Sequence, residues 1–293
     1  MGMGWELSLA FSQARELFEE ADEVLGSHLS RLAWQGPEHE LTLTKNAQPA
    51  LLVHSIAVHR VLCEELGPVS MAAGHSLGEF SAHVAAGTLS FPEALKTVRV
   101  RGELMFASGV ERPGTMAAVL GLDEEGVEEI CRAVQEEGKI CVPANFNTQS
   151  QVVISGEVEG VERAMTLARE AGAKKAVPLT VSGAFHSPLM EPAREGLRDE
   201  LEKIKFSDPD YPVVSNVTSE PVSKGSQARE LLVDQLTSPV RWRASVEQMV
   251  EMGAQRFFEL GPGSVLCGLN KRNARGVPCV SLGTPSDFDV LGG

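Results

Sequence analysis

Apolar residues recur along the chain with a helical period in some segments and as short strand-like runs in others. Near the N-terminus, Leu17, Phe18 and Ala21 have helical spacing, and Gly26 follows as a helix-stop signal. A second helix is predicted after Pro49. The run VSMAA at 69–73 predicts a short buried strand that leads directly into a glycine-flanked serine. This alternation predicts an α/β fold with a parallel sheet in its core.

The pattern changes between residues 112 and 182. GTMAAVLGL, KICVPANFN, SQVVISG and KKAVPLTVSG read as strands, and two amphipathic helices separate the first from the second and the third from the fourth. The order β-α-β-β-α-β is that of a ferredoxin-like unit. We therefore predict a small domain over 112–182, inserted into a larger domain formed by 1–111 and 183–293.

After this insert, the pattern predicts a helix over 192–204, a strand in PVVSNV, and a helix over 227–236. RFFELGPGSVLCGL then reads as a strand, a glycine turn and a helix.

Composition limits the classes of function. The 293 residues contain no run of about 18 apolar residues, so no membrane span is expected, and the N-terminus lacks the features of a signal peptide. The net charge of −14 makes nucleic acid an unexpected partner. Five scattered cysteines without metal-ligand spacing predict reduced thiols in a cytoplasmic protein.

The candidate chemistry centres on Ser76 in the sequence Gly74-His75-Ser76-Leu77-Gly78. Gly-x-Ser-x-Gly between a strand and a helix predicts a nucleophile elbow, although glycine and serine also form ordinary turns. In an elbow, both glycines are expected to be required because the bend leaves no room for a Cβ atom. The serine Oγ and the Leu77 N–H then lie at a helix N-terminus, where developing negative charge is stabilised.

A metal site is the rival interpretation of this segment, because His75, Glu79 and His83 are four residues apart on one helix face. Zinc-binding helices usually present two histidines four apart, whereas these two are eight apart. No metal is therefore expected, and Glu79 and His83 are assigned to packing or to a polar surface.

A nucleophilic serine needs a general base, and His186 is the candidate. It lies in SGAFHSPLM, a loop at the predicted return from the insert to the core. His75 is expected to point away from the serine. The alternative for His186 is a loop histidine in contact with solvent.

Seven motifs occur in the order and at the spacings of bacterial malonyl-CoA:acyl-carrier-protein transacylases: GHSLGEFSAHVAAG, VRVRGELM, GTMAAVLGL, PANFNTQSQVVISG, GAFHSPLM, QLTSPVRW and ELGPGSVLCGL. The chain resembles this family over nearly its whole length. The resemblance implies an α/β-hydrolase-like core with a ferredoxin-like insert, no cofactor and a monomer. It also implies transfer of malonyl from malonyl-CoA to the phosphopantetheine thiol of holo acyl carrier protein in fatty-acid biosynthesis.

Position by position, the resemblance implies that Ser76 is the nucleophile, His186 the general base and the Leu77 N–H an oxyanion donor. Arg101 corresponds to the arginine that pairs with the malonyl carboxylate, and a structural ion pair is the alternative for it.

The resemblance also assigns supporting residues. Gln235 corresponds to the residue whose backbone carbonyl holds the histidine in place of a triad acid; a helix-surface amide is its alternative. Gln48 matches a glutamine of the pocket wall, and Asn145 and Asn147 match polar positions near the acyl site.

Family members begin with a strand and a Gly-Gln-Gly-Ser-Gln loop that supplies a second oxyanion donor. The sequence as given starts with residues that follow this loop, so a natural start upstream and impaired catalysis of the chain as written are expected. There are two alternatives to malonyl transfer. The protein is a serine hydrolase, such as a thioesterase, or it is a non-catalytic member of the family.

An acidic carrier protein must dock on a local basic patch of this acidic chain. Lys271, Arg272 and Arg275 are the predicted patch, with Lys174 and Lys175 as the second choice.

Overall fold

A computed structural model describes residues 1–291, and in it five helices precede the first strand. They are α1 (Trp5–Ala10), α2 (Ser12–Leu25), α3 (Leu29–Gln35), α4 (Glu38–Leu41) and α5 (Thr44–Leu62). Gly26 ends α2 as predicted, with a φ of 58° that favours glycine. The helix predicted after Pro49 starts earlier, at Thr44, because burial of Gln48 and Pro49 in the core outweighs the helix-breaking tendency of proline.

Short parallel strand pairs and the helices between them complete the larger part of the fold. The elements are β1 (Ala72–Ala73), α6 (Leu77–Ala85) and α7 (Phe91–Glu111) before residue 112. After residue 182 they are α10 (Glu191–Leu201), β6 (Val213–Val214), β7 (Pro221–Val222), α11 (Gly225–Asp234), α12 (Trp242–Glu251), β8 (Phe257–Leu260), α13 (Val265–Asn273) and β9 (Cys279–Leu282).

The predicted parallel sheet occurs as two separate pieces. β1 pairs with β6 and β8 pairs with β9, both in parallel, while β7 joins β6 in the antiparallel sense. The strand predicted over 69–73 has only two residues, because Val69 and Ser70 are exposed and only Ala72 and Ala73 pair with β6. The carboxyl ends of β1 and β6 consequently lie side by side, which is the usual location of sites in α/β proteins.

Residues 114–178 form a four-stranded antiparallel sheet covered by two helices. The elements are β2 (Gly114–Leu120), α8 (Glu124–Glu136), β3 (Cys141–Thr148), β4 (Gln151–Glu157), α9 (Val158–Glu170) and β5 (Lys175–Pro178). The strand order is β3-β4-β2-β5, and the apolar faces of the helices pack on the sheet in a core of their own. Every predicted element of the insert is therefore found.

One strand of this sheet is joined directly to the larger part of the fold. Asn145 of β3 forms a parallel bridge with Val240. The Phe146 N–H donates to the Val240 carbonyl at 2.9 Å, and the Val240 N–H donates to the Ala144 carbonyl at 2.8 Å. These bonds hold the carboxyl end of β3 beside the loop that precedes α12.

The prediction of five reduced cysteines is wrong for two of them. Cys267 of α13 and Cys279 of β9 form a disulfide with a Cα–Cα distance of 5.3 Å, whereas Cys63, Cys131 and Cys141 are free. Their pairing depends on how α13 packs against β9, which cysteine spacing does not reveal. Within residues 1–291, no helix has the length and apolar character needed to cross a bilayer.

Candidate active site

Ser76 lies on a sharp turn between β1 and α6. Its φ of 51° and ψ of −107° are unusual for a residue with a side chain, as expected of a nucleophile elbow. A Cβ atom on Gly74 would lie 1.9 Å from the Gly78 carbonyl oxygen, so glycine is required there. The expectation for Gly78 is wrong, because a Cβ atom on that residue would meet nothing within 4 Å.

Asn216, which follows β6, fixes the backbone of this turn. Its Oδ1 accepts from the Ser76 N–H at 2.7 Å, and its Nδ2 donates to the Gly74 carbonyl at 2.7 Å. The Leu77 N–H has no acceptor among the described residues and lies at the N-terminus of α6. It is therefore free to bind an oxyanion that forms beside Ser76.

Ser76 and His186 are in direct contact although 110 residues separate them. The Ser76 Oγ lies 2.8 Å from His186 Nε2, and His186 Nδ1 lies 2.8 Å from the backbone carbonyl of Gln235. A carbonyl can only accept, so Nδ1 carries the proton and the Nε2 lone pair faces the serine hydroxyl. The arrangement is a serine, a histidine and a neutral acceptor in the place of a triad acid.

His186 is buried, with 4% of its surface exposed, which excludes a loop histidine in contact with solvent. Burial and then the positive charge of Arg101 lower its pKa to about 3, while the hydrogen bond to Gln235 opposes the shift. The imidazole is consequently neutral at physiological pH and able to accept a proton.

Arg101 of α7 is a buried cation without a carboxylate partner. Only 1% of its surface is exposed, and within the described residues its guanidinium hydrogen-bonds to three neutral oxygens. They are Gln48 Oε1, Ser76 Oγ at 3.1 Å and Gln235 Oε1 at 2.9 Å. Burial lowers the pKa of Arg101 to about 10, so it stays charged at neutral pH. Among the described residues no carboxylate forms a salt bridge with Arg101, although the charge of the buried Glu79 opposes the effect of burial on its pKa.

The two glutamines that contact Arg101 are held in place by further hydrogen bonds. Gln48 Nε2 donates to Thr44 Oγ1 at 2.7 Å, which leaves its oxygen for the guanidinium. Gln235 is fully buried, so the alternative of a helix-surface amide does not apply.

The two asparagines of β3 occupy different positions. Asn147 Oδ1 lies 2.9 Å from His75 Nε2, so His75 faces β3 and not the serine hydroxyl, as predicted. The Asn147 carbonyl accepts from Asn273 Nδ2 at 2.8 Å, which links α13 to the site. Asn145 is buried at the bridge to Val240, and none of the hydrogen bonds of the described residues joins its side chain to Ser76.

The three residues of the metal interpretation have separate partners. His75 contacts Asn147, and His83 Nδ1 contacts Thr88 Oγ1 at 3.2 Å. Glu79 is 1% exposed and hydrogen-bonds to Gln235 and Asn216. Of the two expected roles of Glu79 and His83, packing or a polar surface, burial of both residues excludes the polar surface.

Glu79 and Asn216 are the site residues that the sequence analysis missed. Glu79 is the single acid in the mostly apolar helix LGEFSAHVA, and Asn216 follows β6 at the edge where β1 also ends. An isolated acid in an apolar helix and a polar residue after a parallel strand were the available signals.

A cleft of about 330 Å³ opens at His186, between the antiparallel sheet and the larger part of the fold. Phe146 and Pro143 of β3 line one side, while Thr237 and Arg241 line the other. The Arg241 guanidinium lies over the Phe146 ring at 5.7 Å. Among the residues that line the cleft, His186 is the one in contact with Ser76.

The α/β fold and this geometry are those of a candidate serine-nucleophile site in which a buried guanidinium lies beside the serine. Residues 1–284 match the family model described as the acyl transferase domain, and the chain belongs to this family. It is 46% identical over 290 residues to the malonyl CoA-acyl carrier protein transacylase of Bacillus subtilis, covering 99% of this chain and 92% of that protein.

Solved structures agree. An acyl-carrier-protein S-malonyltransferase from Bartonella henselae has a TM-score of 0.94 and 44% identity, with 100% of this chain and 96% of that chain covered. A malonyl-transacylase in complex with a type II polyketide acyl-carrier protein has a TM-score of 0.95 and 43% identity, with 99% and 94% covered. The resemblance predicted from the motifs is thereby confirmed.

Proposed function

We propose that this protein transfers the malonyl group from malonyl-CoA to the phosphopantetheine thiol of acyl carrier protein, in fatty-acid biosynthesis. The carrying observation is that Ser76 Oγ contacts both His186 Nε2 and the Arg101 guanidinium. His186 can activate the hydroxyl as a base. The Arg101 guanidinium, which forms no salt bridge among the described residues, lies beside the serine and can bind a carboxylate. The relatives reported above are named as malonyl transacylases, which supports the same reaction.

In the first half-reaction, Ser76 Oγ attacks the thioester carbonyl carbon while its proton moves to His186 Nε2. The Leu77 N–H, at the positive end of α6, donates to the oxyanion. The carbon–sulfur bond then breaks, and the protonated His186 returns the proton to the departing CoA sulfur. Malonyl-serine is the product.

In the second half-reaction, the phosphopantetheine thiol gives its proton to His186, and its sulfur attacks the malonyl-serine carbonyl. The bond from carbon to Ser76 Oγ breaks, and His186 protonates the oxygen. The neutral carbonyl of Gln235 keeps the imidazole in the tautomer that both steps require.

Arg101 is proposed to bind the malonyl carboxylate through two parallel hydrogen bonds. This contact has a second effect, because after burial the Arg101 charge is the next largest cause of the low pKa of His186. A bound carboxylate offsets that charge and so raises the pKa of His186. The base therefore becomes stronger when an acyl group with a free carboxylate is in place.

Four further residues are proposed to shape the acyl site. Gln48 and the Gln235 side chain hold the Arg101 guanidinium toward the serine. Asn147 fixes His75 beside the elbow, and Asn145 anchors β3 at the cleft wall.

The finer description of the fold is also part of this proposal. The larger domain, 1–111 and 183–293, is assigned to an α/β-hydrolase-like core, supported by the elbow between β1 and α6. The insert over 112–182 is assigned to a ferredoxin-like domain, supported by the strand order β3-β4-β2-β5. A cytoplasmic monomer is the proposed working form.

The test is intact-protein mass spectrometry after incubation with malonyl-CoA, with and without holo acyl carrier protein. A stable malonyl adduct that disappears onto the carrier is expected. Ser76→Ala should form no adduct and keep its melting temperature, since Ser76 contributes only a hydroxyl at the site. Release of free malonate without transfer would indicate a hydrolase, and an adduct on Ser76→Ala would refute the assignment of the nucleophile.

A further inference from the structure

Glu79 is a buried acid that the reaction scheme above does not use. It lies in the first turn of α6, three residues after the nucleophile, and its side chain is 1% exposed. Its Oε2 accepts from Gln235 Nε2 at 2.7 Å and from the Asn216 N–H at 3.2 Å. Burying a carboxylate is unfavourable, and burial raises the pKa of Glu79 to about 7 despite these bonds. A residue with only a packing role would not need to accept these two hydrogen bonds.

Gln235 connects Glu79 to both reactive groups. The Gln235 backbone carbonyl accepts from His186, and its side-chain Oε1 accepts from the Arg101 guanidinium at 2.9 Å. Its Nε2 donates to Glu79 and to the Ser76 carbonyl at 3.0 Å. One residue therefore contacts the base, the cation and the turn that carries the nucleophile.

The direction of the Gln235 amide decides whether Arg101 has its third acceptor, the Gln235 oxygen. A side-chain amide has an acceptor end and a donor end, and the two can exchange places by rotation. With Nε2 toward Glu79, the oxygen faces the guanidinium. In the reversed orientation, the amide N–H groups would face the guanidinium N–H groups, and two donors would oppose each other beside a positive charge.

We propose that Glu79 is a positioning residue: its carboxylate oxygen fixes the orientation of the Gln235 amide and, through it, the placement of Arg101 for a malonyl carboxylate. This inference rests on the proposed malonyl transfer. The same oxygen also accepts from the backbone of Asn216, whose side chain holds the Ser76 N–H and the Gly74 carbonyl. The Glu79 carboxylate oxygen therefore supports both the Gln235 amide, which contacts Arg101, and Asn216, which holds the elbow.

Three variants of Glu79 test whether the position of its acceptor oxygen or its negative charge is what matters. Glu79→Gln keeps the length of the side chain and an acceptor oxygen but loses the charge. Glu79→Asp keeps the charge but draws the oxygens back by one methylene, away from Gln235. Glu79→Met removes both. His83→Met is the matched control, since His83 is an equally buried polar residue of α6 whose side chain contacts Thr88 instead of the site.

The measurement is kcat/KM for acyl-enzyme formation from malonyl-CoA and from acetyl-CoA, at pH 8, with the melting temperature of each variant. Glu79→Asp and Glu79→Met should lower the malonyl-to-acetyl ratio by about 10- to 100-fold, because the buried Nε2 donor of Gln235 loses its acceptor at Glu79. For malonyl-CoA the loss should appear mainly in KM. Glu79→Gln and His83→Met should keep the ratio within about threefold.

Equal losses for both substrates in Glu79→Asp would overturn the proposal, and so would a normal ratio in Glu79→Asp combined with a low ratio in Glu79→Gln. The Asp and Gln pair decides the question even where Glu79→Met does not fold. A wild-type protein that forms no malonyl-enzyme would refute the proposed function itself and the inference with it. The two failures are therefore distinguishable.

Discussion

At the scale of single residues, the most informative side chain is Arg101. A fully buried guanidinium normally has a carboxylate partner, because an unpaired buried charge is costly. Within the described residues, its hydrogen-bond acceptors are the neutral oxygens of Gln48, Ser76 and Gln235. The guanidinium therefore makes no salt bridge among the described residues, and the proposed role of Arg101 is to bind a substrate that carries its own carboxylate.

Arg101→Ala should change substrate preference more than it changes the acylation step itself. A malonyl carboxylate buried without its cation is destabilised by roughly 3–5 kcal/mol. Acetyl-CoA lacks that carboxylate and escapes this cost. We expect the malonyl-to-acetyl ratio of kcat/KM to fall by a factor of about 10² to 4 × 10³. The rate of acyl-enzyme formation, measured with malonyl-CoA and with acetyl-CoA, gives the ratio directly.

Arg99→Ala is the matched control, because Arg99 is on the same helix and its guanidinium hydrogen-bonds to Asn46 at 2.7 Å. This variant should keep the wild-type ratio. If Arg101→Ala slows malonyl and acetyl transfer by the same factor, Arg101 has a structural role and does not select the substrate.

At the scale of secondary-structure elements, the first turn of α6 is the critical unit. It presents the Ser76 hydroxyl, the Leu77 N–H and the Glu79 carboxylate within four residues. The turn can form because Gly74 approaches the backbone of Gly78, where no side chain would fit. The two glycines of the motif therefore have different roles.

Gly74→Ala and Gly78→Ala form a matched pair of variants. At Gly74 the new methyl group would meet the backbone at 1.9 Å, so the turn must shift. A displacement of about 1 Å at a reacting group costs about 10²-fold in rate, and we expect a loss of at least this size. At Gly78 the methyl group enters open space within a helix, so activity should be retained and stability should rise by about 0.5–1 kcal/mol.

Acyl-enzyme formation and urea unfolding check both variants. Wild-type acylation by Gly74→Ala would show that the steric account of the elbow is wrong. Loss of activity in Gly78→Ala without loss of stability would instead place a substrate atom at Gly78.

The same element shows how far the sequence could predict the site. Ser76 and His186 were predictable, the first from a local motif and the second from a loop position and a family resemblance. The acceptor role of Glu79 was not, because its partner Gln235 is 156 residues away and only the fold brings them together. Local patterns also overestimated β1, because the apolar Val69 is exposed in the fold and only Ala72 and Ala73 pair with β6.

At the scale of the whole molecule, the charge distribution affects how the second substrate, acyl carrier protein, can dock. The net charge of −14 repels an acidic partner at long range, so docking needs a local reversal of the field. Lys271 and Arg272 are exposed at the C-terminal end of α13. Their neighbour Asn273 donates to the Asn147 carbonyl at 2.8 Å, which places this end of the helix close to the site.

The Lys271→Glu, Arg272→Glu double variant should therefore bind an acidic carrier protein more weakly. We expect its KM for holo acyl carrier protein to rise by about tenfold at low salt, since two favourable surface contacts become unfavourable. The KM for malonyl-CoA should not change, because acylation of Ser76 does not involve the carrier. Steady-state transfer assays at varied carrier concentration give both values.

Salt and a second patch provide the controls for this placement. Added salt should reduce the difference in carrier-protein KM between the variant and the wild-type protein, because exposed charges are screened beyond about 10 Å at 0.1 M. Lys174→Glu, Lys175→Glu reverses an exposed pair at the start of β5, on the antiparallel sheet. If that pair raises the carrier KM and the α13 pair does not, the carrier docks on the insert. A salt-independent rise for the α13 pair would mean that the substitutions act through the packing of α13 and not through its charge.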